Sequence, residues 1–426
     1  MKLTRYREFQ SFRPQPGVRL LAYESERFKT IRARVYLLEP IQPRVATENS
    51  LLARVMRNAS ADHPSRRELA RACEELYGAT LGVGVTRLAD VQALTATVEF
   101  PAERYLPKGS KELEGALSLL VEVLTRPALS PDGSALRADQ VEQERYQLEN
   151  ELRAMQDDKP AWAALRATQR TYAGTPGAIH EMGAIEDLPA ITPQGLLTRQ
   201  RSLVGNAQVL AFVTGPVTPL HALATLSRKL SLPRARRVTL PGALRLANRK
   251  AVRRDVEKAE TEQTHLLFTW SGGAVYGERG FAPMLYADAL LGGYGMSRLF
   301  KVVREEHGLA YAVHSQYHRA RGSIVAQAAV DPGRAELAIK LIRSEFKRLQ
   351  KGFSEQEFAA VRESLIEARR SAWDSQGARA GDLVFQHVLG FKQMPEQQLK
   401  DIRNVKPAQV KAMLKKLRPH SEYRLG

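Results

Sequence analysis

The chain has 426 residues, with 64 Lys and Arg against 46 Asp and Glu, for a formal charge of +18. Its length exceeds what one ordinary hydrophobic core organises, so two or more domains are expected. A composition of 43% hydrophobic and 26% charged residues, with no apolar run of about 18, excludes the disordered and membrane-spanning classes, and no membrane partner is expected.

In chain order, the opening MKLTRYREFQSFRPQPGVRLL is basic but carries no apolar stretch of secretory length. Arg32 to Leu38 (RARVYLL) predicts a strand. Cys73 stands alone, which predicts a small buried helix residue rather than a disulfide or a thiolate metal cage. Together these features predict a cytoplasmic protein. The stretch CEELYGATLGVGVTRLADVQALTATVEFPAER reads as an acidic helix end, a glycine (Gly78) and two alternating strands. Asp139 to Met155 predicts a long helix that ends before the polar DDKP turn.

Residues 228 to 258 hold eleven Lys or Arg against Asp255 and Glu257, half of the net charge of the whole chain. With Pro233, Pro241 and Gly242 and no aromatic residue for base stacking, this stretch predicts a solvated connection rather than a nucleic-acid surface. The order of signals then repeats. Thr264 to Trp270 (THLLFTW) predicts a strand, and REEHGLAYAVHSQYHRARGSIVAQAAVDPGR repeats the helix end, glycine (Gly308) and paired strands. Arg334 to Lys351 and Ser354 to Ser371 predict helices, the second opened by a Ser354/Glu357 capping box. The expected organisation is two duplicated α+β domains, residues 1–225 and 259–426, joined by a basic 226–258 linker.

Conventional catalytic motifs are absent. The nine histidines form neither HExxH nor the inverted HxxEH; His180-Glu181 begins the first, but Ala184 ends it. His314 and His318 lie in a predicted strand, where four residues span roughly 13 Å, too far for one zinc with ligands at about 2 Å. Gly292, Gly293 and Gly295 in LLGGYGMSRLF lack a phosphate-binding spacing and predict a tight turn. No G-x-S-x-G occurs.

The segment GGYGMSRLFKVVREEHGLAYAVHS carries the most information: a glycine cluster, a short helix capped by Ser297 and ended at Gly308, then Tyr311. It resembles the second domain of the pitrilysin, insulysin and mitochondrial-processing-peptidase family, whose pattern is a glycine cluster, Ser-Arg-Leu-Phe, an Arg and Gly-Leu-Ala-Tyr. The likeness extends through ERFKTIRARVYL, PSRRELARACEELYGATLGVGVTRLADVQALTATV and TYAGTPGAIHEMGAIEDLPAITPQGL.

That resemblance implies a fold of two homologous domains, each a mainly antiparallel sheet packed by helices, forming half of a clam-shell chamber. It also exposes a departure. The family's inverted zinc motif falls on ENSLLARVMRNAS, where Ser50 and Arg54 stand for the two histidines and Ala53 for the catalytic glutamate. Glu144 and Glu151 keep the family's seven-residue spacing, and Glu151 would match the third zinc ligand. Alone they cannot hold zinc, Arg54 would repel a cation, and they read as charges on an exposed helix face.

No cofactor is therefore expected in this chain. The family's second-domain pair is retained as Arg304 and Tyr311, which the resemblance makes substrate-binding or oxyanion groups acting in trans. It implies a zinc-bearing homologous partner subunit and peptide substrates, with a catalytically inactive scaffold or peptide-binding protein as the alternative.

Overall fold

The computed structural model describes residues 1–232 and 238–426; Pro233 to Arg237, inside the expected basic linker, lie outside the described residues. Two compact units are present, and they exchange segments along the chain. The first comprises Met1–Arg153, Ile179–Pro241 and Ala380–Val388, and the second Ala154–Ala178, Gly242–Arg379 and Leu389–Gly426.

Seven strands form the sheet of the first unit: β1 (Thr4–Tyr6), β2 (Phe9–Phe12), β3 (Val18–Glu24), β4 (Thr30–Pro40), β5 (Thr80–Leu88), β6 (Val91–Pro101) and β7 (Gln208–Gly215). They are ordered β1-β2-β3-β7-β4-β6-β5. The helices Pro43–Asn58 and Glu112–Thr125 pack on β5 and β6, burying Leu51, Leu52, Leu117 and Leu120. Each such side chain contributes about 1.5–3 kcal/mol by leaving water.

Five strands form the second sheet: β8 (Arg253–Glu257), β9 (Thr264–Ser271), β10 (Ala310–His318), β11 (Ser323–Val330) and β12 (Arg418–Leu425), ordered β10-β11-β9-β12-β8. Every residue of β9 is buried because both of its faces are covered. Leu266, Phe268 and Trp270 belong to the helical core, where Trp270 stacks on Phe346 at 4.4 Å. Leu267, between them, packs with Tyr423 and Leu425 against Ala163 and Ala167 of the helix Lys159–Thr171. That helix precedes position 225 in the chain yet completes the second unit. In the first unit Asp382 takes an ion pair from Arg7 at 3.1 Å, so a segment from beyond position 259 completes it in turn.

The duplication seen in the sequence is a duplication of topology. In the first sheet β3-β7-β4-β6-β5 run parallel, antiparallel, antiparallel, antiparallel. In the second, β8-β12-β9-β11-β10 run in the same pattern. The architecture is α+β with two mainly antiparallel sheets packed by helices. Helices occur at Ala138–Ala154, Ala335–Lys351 and Glu355–Ala372, the last with both hydrogen bonds of the Ser354/Glu357 capping box. The basic stretch is not all loop: it includes the end of the helix Pro219–Lys229 and the edge strand β8. Among the described residues no helix is long and apolar enough to cross a membrane.

The register of β12 against β9 slips between Pro419 and Ser421, leaving His420 as the extra, buried residue. Burial, with Arg249 and Arg253 nearby, pushes its imidazole pKa down to about 4. Because this lies below the unfolded value of 6.5, the unfolded chain binds the extra proton, and the contribution to stability is lost as pH falls from there towards 4. Thermal unfolding at pH 7 and pH 5 should show a drop in Tm that is smaller in His420→Asn.

Candidate functional site

Two places carry the chemistry expected from the sequence, one in each unit. In the first unit the helix Pro43–Asn58 buries Ser50 and Ala53, with Arg54 one position further on. The segment 179–187 is docked on this helix. Ala184 N–H donates to Thr47 Oγ1 at 3.0 Å, Thr47 Oγ1 donates to Asp187 at 2.6 Å, and Ser50 Oγ donates to the Glu181 carbonyl at 3.3 Å. Gly183 permits the approach: its φ is +81°, and a Cβ there would fall 2.0 Å from Thr47 Oγ1. Below the loop, Gln92 Nε2 donates to the carbonyls of Glu181 at 2.6 Å and Ala46 at 3.0 Å.

Arg54 reaches the helix Ala138–Ala154. Its guanidinium pairs directly with the half-exposed Glu151 and stands 4.0 Å from Glu144 Oε2. Glu144 is 6% exposed, so the expectation of two carboxylates on an exposed face is corrected for this residue. Its other oxygen accepts from Asn58 Nδ2 at 2.5 Å. A carboxylate this deep is stable only when paired and hydrogen-bonded. Zinc does not fit these residues. Ser50 offers a hydroxyl already engaged by a carbonyl, Ala53 offers nothing, and the permanently charged guanidinium stands between the carboxylates that remain. Among the described residues no three His, Cys, Asp or Glu side chains are grouped to hold a metal ion.

In the second unit, the helix that ends in the π-helical turn Phe300–Glu306 buries Leu299 and Val303, which turns Arg304 outward. The helix stops at Gly308, whose φ of +57° redirects the chain into β10. Arg334 holds this turn through the carbonyls of His307 (3.1 Å) and Gly308 (3.4 Å). The register of β10 on β11 then slips between Ala310 and Ala312, so Tyr311 is a bulged residue on an edge strand, 82% exposed. Bulges at sheet edges re-aim a side chain. The Arg304 guanidinium carbon lies 4.9 Å from the Phe300 ring centroid and 6.0 Å from that of Tyr311. Beyond these ring contacts, neither the guanidinium nor the Tyr311 hydroxyl has a hydrogen-bond or ion-pair partner among the described residues. A charged five-donor fork and a phenolic donor therefore stand side by side, facing solvent.

Asp288, which the sequence reading passed over, lies beneath the glycine cluster. Its carboxylate accepts from Ser315 Oγ at 2.6 Å; burial pushes its pKa up to about 6 against the pull of that bond and of the nearby Tyr317 backbone N–H. His314 and His318 lie on strand β10, as expected.

Residues 190–365 match a family model described as the Peptidase M16 inactive domain. The chain is 26% identical over 389 residues to a Bacillus subtilis protein named "Probable inactive metalloprotease YmfF", covering 90% of this chain and 89% of that one. Among solved structures, a conserved protein from Enterococcus faecalis V583 superposes with a TM-score of 0.89 at 22% identity, over 98% of both chains. A peptidase M16 inactive domain from Pseudomonas fluorescens superposes with a TM-score of 0.79 at 20% identity, again over 98% of both.

Removing one partner of a buried ion pair leaves the other uncompensated, at about 3–5 kcal/mol. Arg54→Met is expected to destabilise the first unit by about that amount in denaturant unfolding. Adding Glu144→Gln to Arg54→Met should recover most of the loss.

Proposed function

We propose that this chain, similar over residues 190–365 to the Peptidase M16 inactive domain, is a pitrilysin-type (M16) family member and the zinc-free subunit of a two-subunit metallopeptidase. The observation that carries the proposal is the contrast between its two sites. Arg54 stands between Glu144 and Glu151, on the segment that the resemblance aligns with the zinc motif, whereas Arg304 and Tyr311 are adjacent, exposed and without polar partners among the described residues. Such a chain has nothing to activate a water molecule but does have donors to offer.

The partner would be a homologous cytoplasmic subunit with an intact zinc motif, the two closing around a peptide chamber. Zinc in that partner would supply the attacking water and polarise the scissile carbonyl. The residues of this chain would act on the other charges. Tyr311 would donate its phenolic proton in a hydrogen bond to the carbonyl oxygen as it becomes an oxyanion, and Arg304 would stabilise the same developing charge. The substrates would be unfolded peptides held extended by strand addition in the partner. The excess of 18 positive charges favours acidic peptides or C-terminal carboxylates. The name of the Bacillus subtilis relative, a probable inactive metalloprotease, supports a chain without activity of its own.

The test is co-expression with a zinc-motif homologue, followed by sizing and a peptidase assay with and without chelator. A stable complex should cleave unfolded peptides only when metal is present, and this chain alone should not. Arg304→Ala or Tyr311→Phe should lower kcat of the complex by about 10²–10³, the usual loss for one transition-state donor. Full activity in both variants would overturn the role of the pair and leave a peptide-binding scaffold.

A further inference from the structure

Strand β10 is held on its free edge by a side chain. Asp288 closes the α-helical segment Phe281–Asp288, which runs on into the π-helical turn Ala289–Gly293, and its carboxylate accepts from Ser315 Oγ of β10 at 2.6 Å. Ser315 Oγ also lies 3.1 Å from the Asp288 carbonyl. An edge strand has no neighbour strand on its outer side, and here a carboxylate from the adjoining helix holds it instead through the Ser315 hydroxyl.

The glycine cluster is shaped to this contact. A Cβ on Gly292 would stand 2.6 Å from Ser315 N and 2.9 Å from Ser315 Oγ, and one on Gly293 would stand 2.8 Å from Asp288 Oδ2. Neither glycine has a positive φ, so bare space, not backbone freedom, is what these positions require. Gly292 and Gly293, expected in a tight turn, instead lie in the π-helical stretch Ala289–Gly293, two side-chain-free residues laid directly on the Asp288–Ser315 contact.

The duplicated strand supplies an internal comparison. β5 is also an edge strand, and Leu81 occupies in it the place of Tyr311. β5 pairs with β6 without a slip, Leu81 standing opposite Val98. Of these two strands β10 alone slips, and the slip is held at both ends. Arg334 and Gly308 hold the turn before Tyr311, and Asp288 grips the strand at Ser315, four residues after it. A bulge moves along a strand when its register is free to slide, and each step would turn Tyr311 to the other face of the sheet.

We propose that Asp288 is a positioning residue, its grip on Ser315 fixing the register that keeps Tyr311 bulged beside Arg304. The consequence for catalysis rests on the complementing role argued above; the consequence for register does not. The experiment therefore has two arms. In the full chain alone, amide hydrogen exchange of residues 310–318 should rise at least about tenfold in Ser315→Ala and Asp288→Ala. It should stay near wild type in Asp288→Asn, which keeps an acceptor, and β5 should be unaffected in all three. In the complex with a zinc-motif homologue, Ser315→Ala and Asp288→Ala should lower kcat by about 10- to 100-fold with little change in KM, as expected for a misplaced donor, and Asp288→Asn should restore it.

Unchanged exchange in both alanine variants would overturn the proposal, as would wild-type kcat in both when Arg304→Ala is impaired. If Arg304→Ala is itself silent, the complementing role fails, and the exchange arm alone decides the clamp. Should Asp288→Ala not fold, the milder Ser315→Ala carries both arms.

Discussion

A carboxylate buried as deeply as that of Glu144 has to be neutralised, and much of the first unit is arranged around that requirement. The compensating charge comes from Arg54, on a helix some ninety residues earlier, so a salt bridge links Pro43–Asn58 to Ala138–Ala154. A divalent ion between the same two helices would serve the same electrostatic end, but it would need ligands that Ser50 and Ala53 do not supply. The guanidinium also opposes a metal at this place. It is never deprotonated, and its withdrawal leaves an isolated buried charge. The guanidinium is thus built into the stability of the unit, and the docked 179–187 loop, tied to Thr47 and Ser50, packs on the same helix.

The two units start from one topology and diverge at matching places. Both sheets run through the same five-strand order, and both edge strands follow a helix ended by a glycine with positive φ, Gly78 in one case and Gly308 in the other. In the first unit the edge strand keeps its register and carries Gly82 and Gly84, with open space where side chains would stand. In the second the edge strand slips by one residue, and the extra residue is an exposed tyrosine. Ordered pairing needs no added support, whereas a local irregularity persists only where its surroundings hold it. The density of contacts around β10 follows from that difference.

What was legible in the sequence was what local chemistry dictates. RARVYLL and THLLFTW read as strands because β-branched and aromatic residues fit pleated, buried positions, and Ser354/Glu357 read as a helix start because its hydrogen bonds are local. Three features were hidden for one common reason, that burial is decided by distant partners. Glu144 looked like surface charge because nothing near it in sequence reveals Arg54. The segment RRDVE looked like linker, although an edge strand paired on one side tolerates its charges. The exchange of residues 154–178 and 380–388 between units was invisible because small residues such as Ala163 and Ala167 carry no mark of which sheet they will cover. The candidate pair itself was legible only through the whole motif around it. A spacing of seven says nothing about a slip of register, and the slip is what exposes Tyr311.

Placing an unpaired guanidinium and a phenol at the surface costs little, because water satisfies both, and for the same reason it accomplishes little while they stay there. Two charges 4 Å apart interact by about 1 kcal/mol in bulk water and by about 4 kcal/mol at the effective dielectric of a protein surface. Arg304 and Tyr311 therefore gain electrostatic leverage only when another surface closes over them and displaces the solvent. The first unit shows the opposite state, a cation already enclosed and already satisfied by carboxylates of its own chain. One arginine is committed to holding the fold together and the other is left uncommitted. On the complementing reading, this division lets a single chain be inert in isolation and effective on assembly.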